Sequence, residues 1–296
     1  MVNKFVIASL LATILLSGTL ASADSRSQSG EAKDLVIGQI NLSFYLASAA
    51  VVVEVLNTLG HSIQVEEGNH PTIYGKLNKA EVDILIASWL PHAHGHLHAP
   101  VAEQVVEATV LYEDARLYWV VPAHIPASVV SSIDDLKKPE VRAKMDPDIV
   151  GVGPGSGLML GSEKILHQYG LTQSGYSLRV APADEWASRL ARASANGTWM
   201  VMPLWQPQYL NAVYPVRVLD EPQGIFGKDR AVVVVRKQSW NQLPERTRQV
   251  LSKVRLGIMA VTELERQIVV EGKAPQQAAR DWMTANQHLV KAWFED

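Results

Sequence analysis

The chain has 296 residues, of which 47% are hydrophobic and 19% charged, with a formal net charge of −3 and no cysteine. These proportions exclude a disordered chain, and the length suits two lobes better than one compact core. The slightly acidic balance, without any basic run, argues against nucleic acid or an anionic membrane as partner, and the lack of cysteine excludes disulfides and thiolate metal sites.

The N-terminus has the pattern of a cleaved secretory signal. Lys4 precedes an apolar run from Phe5 to Leu16, which the small residues ASA follow at 21–23. This layout predicts a signal peptide at 1–23 and export to the periplasm. The run is shorter than the roughly 20 apolar residues that a membrane span needs. Residues 24–33 are polar and aperiodic, and we expect them to form a flexible leader.

Strands and helices alternate from residue 34 to residue 90, which predicts a parallel sheet with crossover helices. The loops after parallel strands share one edge of the sheet, so the loops at 41–45 and 89–98 should lie close together. The predicted strands are Asp34–Ile40, Ile63–Glu66 and DILIAS at 83–88, and the predicted helices are an amphipathic one from Ser43 to Gly60 and a second around Thr72–Ala80.

A second α/β unit follows two further strands, and the chain then returns to the first unit. The apolar run AVVVV at 231–235 is typical of a central parallel strand and is expected to join the first sheet. Two crossings, near 122 and 218, would form a hinge. We therefore predict lobe 1 at 34–121 and 219–296 and lobe 2 at 122–218. The elements in this part are strands near Thr109–Leu111, Leu117–Val121, Ile149–Val152, Ser177–Val180, 198–204 and Val216–Leu219, helices at Leu158–Tyr169 and Asp184–Ala195, and a helical remainder from Pro244.

Two tryptophans, Trp89 and Trp205, each come just after a predicted strand, one in each unit. An indole face attracts a cation, and each desolvated ring contributes about 1 to 2 kcal/mol to binding a quaternary ammonium. Their matching positions favour two walls of a site for a small cationic solute. The alternative is that both are core or hinge packing.

The glycine-rich loop GVGPGSG at 151–157 precedes a helix, and its amides suit a carboxylate. Gly155, Ser156 and Gly157 are the candidate contacts. The lysine of a phosphate-binding P-loop is missing, and a plain connection between strand and helix is the alternative.

Histidines alternate at 92, 94, 96 and 98, a spacing that invites a zinc or copper hypothesis. No carboxylate-rich loop lies nearby, and Gly95 with Pro100 favours a curved loop, so a solvated loop with one functional histidine is preferred and no metal site is assigned. A periplasmic metal-binding protein that uses His92, His94, His96 and His98 stays an alternative, as does contact of this loop with a partner. The chain has no Gly-x-Ser-x-Gly, His-Glu-x-x-His or dinucleotide motif. We predict no catalytic residue and no cofactor, and an enzyme stays an alternative.

Four segments match a known family when taken together. They are ASWLPHAH at 87–94, VVPAHI at 120–125 with the following SIDDL, GVGPGSGLML at 151–160 and MPLWQPQYLNAVYPVRVLDEP at 202–222. Through them the chain resembles the substrate-binding proteins of ABC importers for glycine betaine, choline and related quaternary amines. The resemblance covers nearly the whole chain after the signal.

This resemblance implies an α/β, two-lobed periplasmic-binding-protein fold of the venus-flytrap type II, with two chain crossovers. It also implies a monomer that closes around its amine and delivers it to a permease in the inner membrane. Trp89 and Trp205 carry over as walls of an aromatic box, and His94 matches the family's histidine after Trp-Leu-Pro. Asp229 lies where family members often supply a further polar contact.

The chain departs from the family pattern after the first strand, where members often place another tryptophan. Here the sequence reads INLSFYLAS, with Leu42 near that place. Phe44 and Tyr45 are close by, and either Tyr45 substitutes as a wall or the pocket is altered for a ligand other than glycine betaine. Glycine betaine, choline and carnitine stay open as ligands.

Overall fold

A seven-stranded sheet organises residues 34–295, the part of the chain that the computed structural model describes. The predicted signal peptide and leader lie outside the described residues. A separate two-stranded sheet pairs Asp148–Gly151 with Ser177–Val180. The strands are β1 (Asp34–Ile40), β2 (Ser62–Gly68), β3 (Ile84–Leu90), β4 (Val105–Pro122), β5 (Asp148–Gly151), β6 (Ser177–Val180), β7 (Met202–Gln206), β8 (Val216–Val218) and β9 (Lys228–Arg236).

The large sheet has the order β2-β1-β3-β9-β4-β7, with β8 also paired to β4. β1 pairs in parallel with β2 and β3, which confirms the predicted start of the sheet. The apolar run at 231–235 is central and buried, as predicted, but β9 is antiparallel to both neighbours, so the predicted parallel direction is wrong. An apolar run reports burial of both faces of a strand. The direction of the strand in the sheet depends instead on the chain connection that precedes it.

β4 is one strand of 18 residues where the sequence predicted two. The polar stretch 113–116 between the two predicted strands suggests a turn. Instead, the pairing of β4 with β9 shifts register between Glu107 and Thr109, Val110 and Tyr112, and Tyr112 and Ala115. Bulges of this kind absorb extra residues without ending a strand. β4 therefore continues from its pairing with β9 into its pairing with β7 and β8.

Helices cover the sheet. Of those in the described residues, none has both the length and the apolar character to cross a bilayer. The helices are α1 (Ser43–Thr58), α2 (His70–Asn78), α3 (Gly95–His98), α4 (Pro139–Arg142), α5 (Gly157–Gln168), α6 (Ala183–Asn196), α7 (Leu210–Val213), α8 (Lys237–Gln242), α9 (Glu245–Lys253), α10 (Ile258–Val269), α11 (Pro275–Ala285) and α12 (Gln287–Phe294), with 3₁₀ turns at Ala99–Gln104 and Ile133–Lys137.

The buried apolar residues form two clusters. The smaller one lies between β4, β5 and α5 and includes Trp119, Ile149 and Ile165. The larger one joins the core under α1 to the residues around β7 and α6, including Trp205 and Trp186. The apolar core of the first sheet is thus continuous with side chains that come from the second half of the molecule.

Candidate functional site

One small cavity collects the predicted site residues at the carboxyl edge of the parallel strands. The segments that follow β1, β2 and β3 all reach this edge, and β7 and the loop before α5 close it from the other side. Of the eight predicted residues, only Gly155 does not line the cavity. The lining residues are Leu42, Phe44, Tyr45, His70, Trp89, Ala93, His94, Leu117, Val152, Ser156, Gly157, Leu158 and Trp205.

Phe44 lies between the two predicted tryptophan walls. Its ring centroid is 5.4 Å from that of Trp89 and 5.5 Å from that of Trp205, with both pairs tilted. Tyr45 is next to it at 3.9 Å. Each ring is at least 97% buried. The structure therefore brings together two tryptophans that are more than one hundred residues apart in the chain.

Two further aromatic side chains hold the tryptophans in place. Trp186, on α6, stacks on Trp205 with centroids 4.8 Å apart and planes 9° apart. The Trp89 indole Nε1 donates a hydrogen bond of 2.9 Å to the Tyr112 hydroxyl on β4. Neither supporting residue was singled out from the sequence. Each is an ordinary apolar position of its helix or strand, and only the packing shows its role.

The aromatic rings lie close together. The free space between them is about 20 Å³, enough for about one water molecule. A trimethylammonium group is larger than this space, so its entry requires the walls to move apart.

His94 fixes the end of β3. Its Nδ1 accepts a hydrogen bond of 3.0 Å from the Trp89 backbone N–H, and its Nε2 lies 3.0 Å from the Tyr45 hydroxyl. Burial, with the neighbouring His70, lowers the pKa of His94 well below its usual value, so the ring is neutral at pH 7. The predicted histidine thus contacts the cavity and also orients the tryptophan that forms its wall.

His70 is a cavity residue that sequence reasoning missed. Burial, with a smaller effect of His96, lowers the pKa of His70 to about 4. Its Nε2 lies 3.3 Å from the Tyr45 hydroxyl, and its Nδ1 has no hydrogen-bond partner among the described residues. A signal was present, because His70 follows β2 at the same edge as the predicted loops.

The glycine-rich loop packs directly against the edge of the first sheet. Ser156 caps α5, its hydroxyl oxygen accepting a hydrogen bond of 3.3 Å from the Met159 N–H. A Cβ added to Gly157 would lie 2.5 Å from the Ala93 carbonyl oxygen, and one added to Gly155 would lie 2.8 Å from Pro71 Cγ. Glycine is therefore required for this close approach, and Gly155 serves the packing outside the cavity.

The four alternating histidines do not face one side. Gly95–His98 forms the short helix α3, which leaves His94 buried and His92 and His96 exposed. His92 and His96 line a neighbouring cavity of about 480 Å³ that includes Glu163 and His167. Across residues 34–295, no three His, Asp or Glu side chains are grouped so as to hold a metal ion.

Asp229 anchors the loop that follows Trp89. Its carboxylate accepts hydrogen bonds from the backbone N–H groups of His92 (2.6 Å) and Ala93 (3.1 Å). Asp229 is 4% exposed and lines the larger neighbouring cavity. The contact expected at this strand end is therefore made with the chain itself.

A buried carboxyl group, that of Glu265 on α10, joins the two sides of the cavity. It accepts hydrogen bonds from the Ser43 hydroxyl (2.5 Å), the Gln208 side-chain amide (3.1 Å) and the Tyr209 N–H (2.7 Å). Burial raises its pKa to about 8. Ser43 precedes Phe44, and Gln208 follows Trp205 by three residues, so Glu265 links the segments that carry both rings.

A family model and a curated relative match the chain. Residues 33–285 match the OpuAC family model, described as the substrate binding domain of ABC-type glycine betaine transport systems. The glycine betaine/carnitine transport binding protein GbuC of Listeria monocytogenes is 22% identical over 161 residues, which are 54% of this chain and 53% of that protein. The match thus spans about half the length of this relative.

Solved structures share the fold. Lactococcal OpuAC, in a closed-liganded conformation complexed with glycine betaine, has a TM-score of 0.79 at 23% identity over 89% of this chain and 100% of that one. The ProX glycine/betaine/L-proline-binding protein of Borrelia burgdorferi has a TM-score of 0.80 at 22% identity over 89% and 97%. A choline binding protein in complex with choline has a TM-score of 0.78 at 19% identity over 88% and 91%. These likenesses confirm the predicted two-lobed α/β fold.

Proposed function

The chain belongs to the family of substrate binding domains of ABC-type glycine betaine transport systems, and we propose that it captures one small quaternary amine between its lobes for an ABC permease. It binds the amine and does not transform it. The candidate ligands are glycine betaine, carnitine and choline, the compounds that the names of its relatives carry.

The observation that supports this proposal is the shared aromatic cavity. A quaternary ammonium cannot donate a hydrogen bond, so a site that recognises it depends on ring faces and on shape. Trp89, Phe44 and Trp205 supply three rings on one cavity, and each ring that faces the cation contributes about 1 to 2 kcal/mol. Family members often have a further tryptophan near the position of Leu42. In this chain Phe44, with Tyr45 beside it, supplies that aromatic wall instead.

The polar end of the ligand faces the other wall in this proposal. Ser156 and Gly157, at the N-terminus of α5, and the imidazoles of His94 and His70 line the same cavity. A helix N-terminus favours a negative group. A zwitterion such as glycine betaine would place its ammonium on the rings and its carboxylate on this side.

The setting of the protein is part of the proposal. The signal peptide predicted at 1–23 would export a monomer to the periplasm, where it would meet a permease of the inner membrane. The lobes predicted at 34–121 with 219–296 and at 122–218 would separate to admit the amine and close over it by a hinge motion.

Isothermal titration calorimetry with glycine betaine, carnitine, choline and zinc tests the proposal. We expect one site per chain for at least one amine and none for zinc. Trp89→Ala and Trp205→Ala should each weaken amine binding by about 5- to 30-fold, whereas Trp282→Ala, on α11 outside the cavity, should not change it. Unchanged affinity in both cavity variants would refute the aromatic box, and recovery of a chemically altered amine would favour an enzyme.

A further inference from the structure

Two hydrogen-bond donors at the cavity are buried without an acceptor. His70 Nδ1 and Trp205 Nε1 have no hydrogen-bond partner among residues 34–295. Both residues line the cavity, His70 being 3% exposed and Trp205 also 3%. Leaving a buried donor unpaired costs about 1 to 3 kcal/mol, so two at one site indicate that an acceptor belongs there.

The hydrogen bonds determine which nitrogen of His94 carries the proton. The Trp89 backbone N–H can only donate, so His94 Nδ1, at 3.0 Å, is an acceptor. The ring is neutral, and its single proton is therefore on Nε2. That N–H donates to the Tyr45 hydroxyl oxygen, 3.0 Å away.

The same reasoning then fixes His70. Since the Tyr45 oxygen accepts from His94, its own hydrogen is free to go to His70 Nε2, 3.3 Å away. The reverse orientation would leave both the tyrosine hydrogen and a lone pair of His70 unused in a buried place. His70 Nε2 is thus the acceptor, and the proton of this neutral ring lies on Nδ1, the nitrogen without a partner.

The His70 ring lies near the glycine-rich loop. A Cβ added to Gly153 would be 3.5 Å from His70 Cε1, the carbon between the two ring nitrogens. The loop leads into the N-terminus of α5, a twelve-residue helix, and His70 lines the same cavity as Ser156 and Gly157. The imidazole that carries the free N–H is therefore beside the wall on which the polar end of a ligand would be placed.

We propose that His70 is a specificity-determining residue, whose Nδ1–H donates to an anionic oxygen of the bound amine and makes the site prefer a carboxylate-bearing amine over one with an ammonium group alone. This inference rests on the proposed function. Trp205 Nε1 is the other unpaired donor of a residue that lines the cavity. A donor to a charged acceptor is worth more than one to a neutral oxygen, so the preference extends to carboxylate over hydroxyl.

Two ligands and two variants test the role of His70. Glycine betaine carries the carboxylate, and tetramethylammonium has only the cationic head. His70→Asn places an amide near the position of Nδ1 and keeps a donor there, whereas His70→Gln reaches the position of Nε2 and loses it. We expect His70→Gln to weaken glycine betaine binding by about 10- to 100-fold with tetramethylammonium unchanged, and His70→Asn to retain most of the affinity for both.

The other outcomes are distinguishable. If His70→Gln weakens both ligands equally, or neither, the residue has no role in specificity and the inference is wrong. If the wild type binds neither ligand, the proposed function fails and the inference fails with it. Nitrogen-15 NMR of the wild-type imidazoles reads the tautomer without any variant. A protonated Nδ1 on His70 supports the argument, and a protonated Nε2 overturns it.

Discussion

Gly157→Ala tests whether binding requires the close approach of the two sides of the cavity. The added methyl group would lie 2.5 Å from the oxygen, 2.7 Å from the Cα and 2.9 Å from the carbonyl carbon of Ala93, all backbone atoms that cannot rotate away. Gly157 is the first residue of α5, where alanine is otherwise favourable. The substitution therefore acts on the contact and not on the helix.

The expected loss follows from the distance. Ordinary contact begins at 3.4 Å, so the α5 side must retreat by about 1 Å. When two surfaces in contact are separated by 0.5 to 1 Å, they lose about a quarter to a half of their attraction energy. Two tryptophan faces contribute about 2 to 4 kcal/mol together. The affinity for a quaternary amine should then fall by about 0.5 to 2 kcal/mol, or about 2- to 30-fold.

Calorimetry with glycine betaine measures this loss, and thermal unfolding without ligand tests the fold. We expect little change in unfolding temperature, because the proposed separation of the lobes would relieve the clash. Gly95→Ala is the matched control, since no heavy atom lies within 4 Å of its added Cβ. An unchanged dissociation constant for Gly157→Ala would show that binding does not need this contact, and an equal loss in both variants would point to a general effect.

The remaining predictions concern stability, measured by urea denaturation. The pKa of Glu265 is about 8 in the folded protein against an ordinary 4.5, so between about pH 5 and 8 the folded protein keeps a proton on Glu265 that the unfolded chain loses. The free energy of unfolding should therefore fall by up to about 1.4 kcal/mol per pH unit as the pH rises through this range. Glu265→Gln should remove this fall, and an unchanged slope in the variant would contradict the assignment. The His70 pKa is about 4 against 6.5, so stability should decline as the pH falls from 6.5 to 4. His70→Asn should decline less steeply than wild type, and parallel curves would refute the assignment. Asp229→Ala should lower the free energy of unfolding by about 1.5 to 3 kcal/mol, because two backbone N–H groups lose a charged acceptor. Glu103→Ala, at an exposed position, should leave it unchanged. Equal losses in the two variants would show that the Asp229 hydrogen bonds do not stabilise the fold.

The strand pattern was sufficient to predict much of the site. The sequence places each tryptophan just after a predicted strand, whereas the structure includes both in strand ends, Trp89 in β3 and Trp205 in β7, because the backbone pairing continues past them. The rule that parallel strands end at one edge places Phe44 and Tyr45 beside Trp89. The same rule applied to β2 would have included His70. Nothing in the sequence distinguishes an isolated histidine at the start of a helix, where His70 lies.

Other features depend on packing that no local pattern carries. Glu265 hydrogen-bonds to Ser43 across 222 positions of the chain, from a helix whose own periodicity is ordinary. The need for glycine at 157 arises only where α5 meets Ala93. The antiparallel direction of β9 and the continuity of β4 likewise reflect where the chain returns, which the composition of a single strand does not record.

β4 is a single strand of 18 residues that connects the two halves of the molecule, because it pairs with β9 along one part and with β7 and β8 along the other. Any relative rotation of the halves must bend or twist this strand. Its irregular register beside β9, between Glu107 and Ala115, offers places where such bending deforms few ladder bonds. In the proposed hinge motion the bending would therefore concentrate at these register shifts, on a strand of which only Leu117 lines the aromatic cavity.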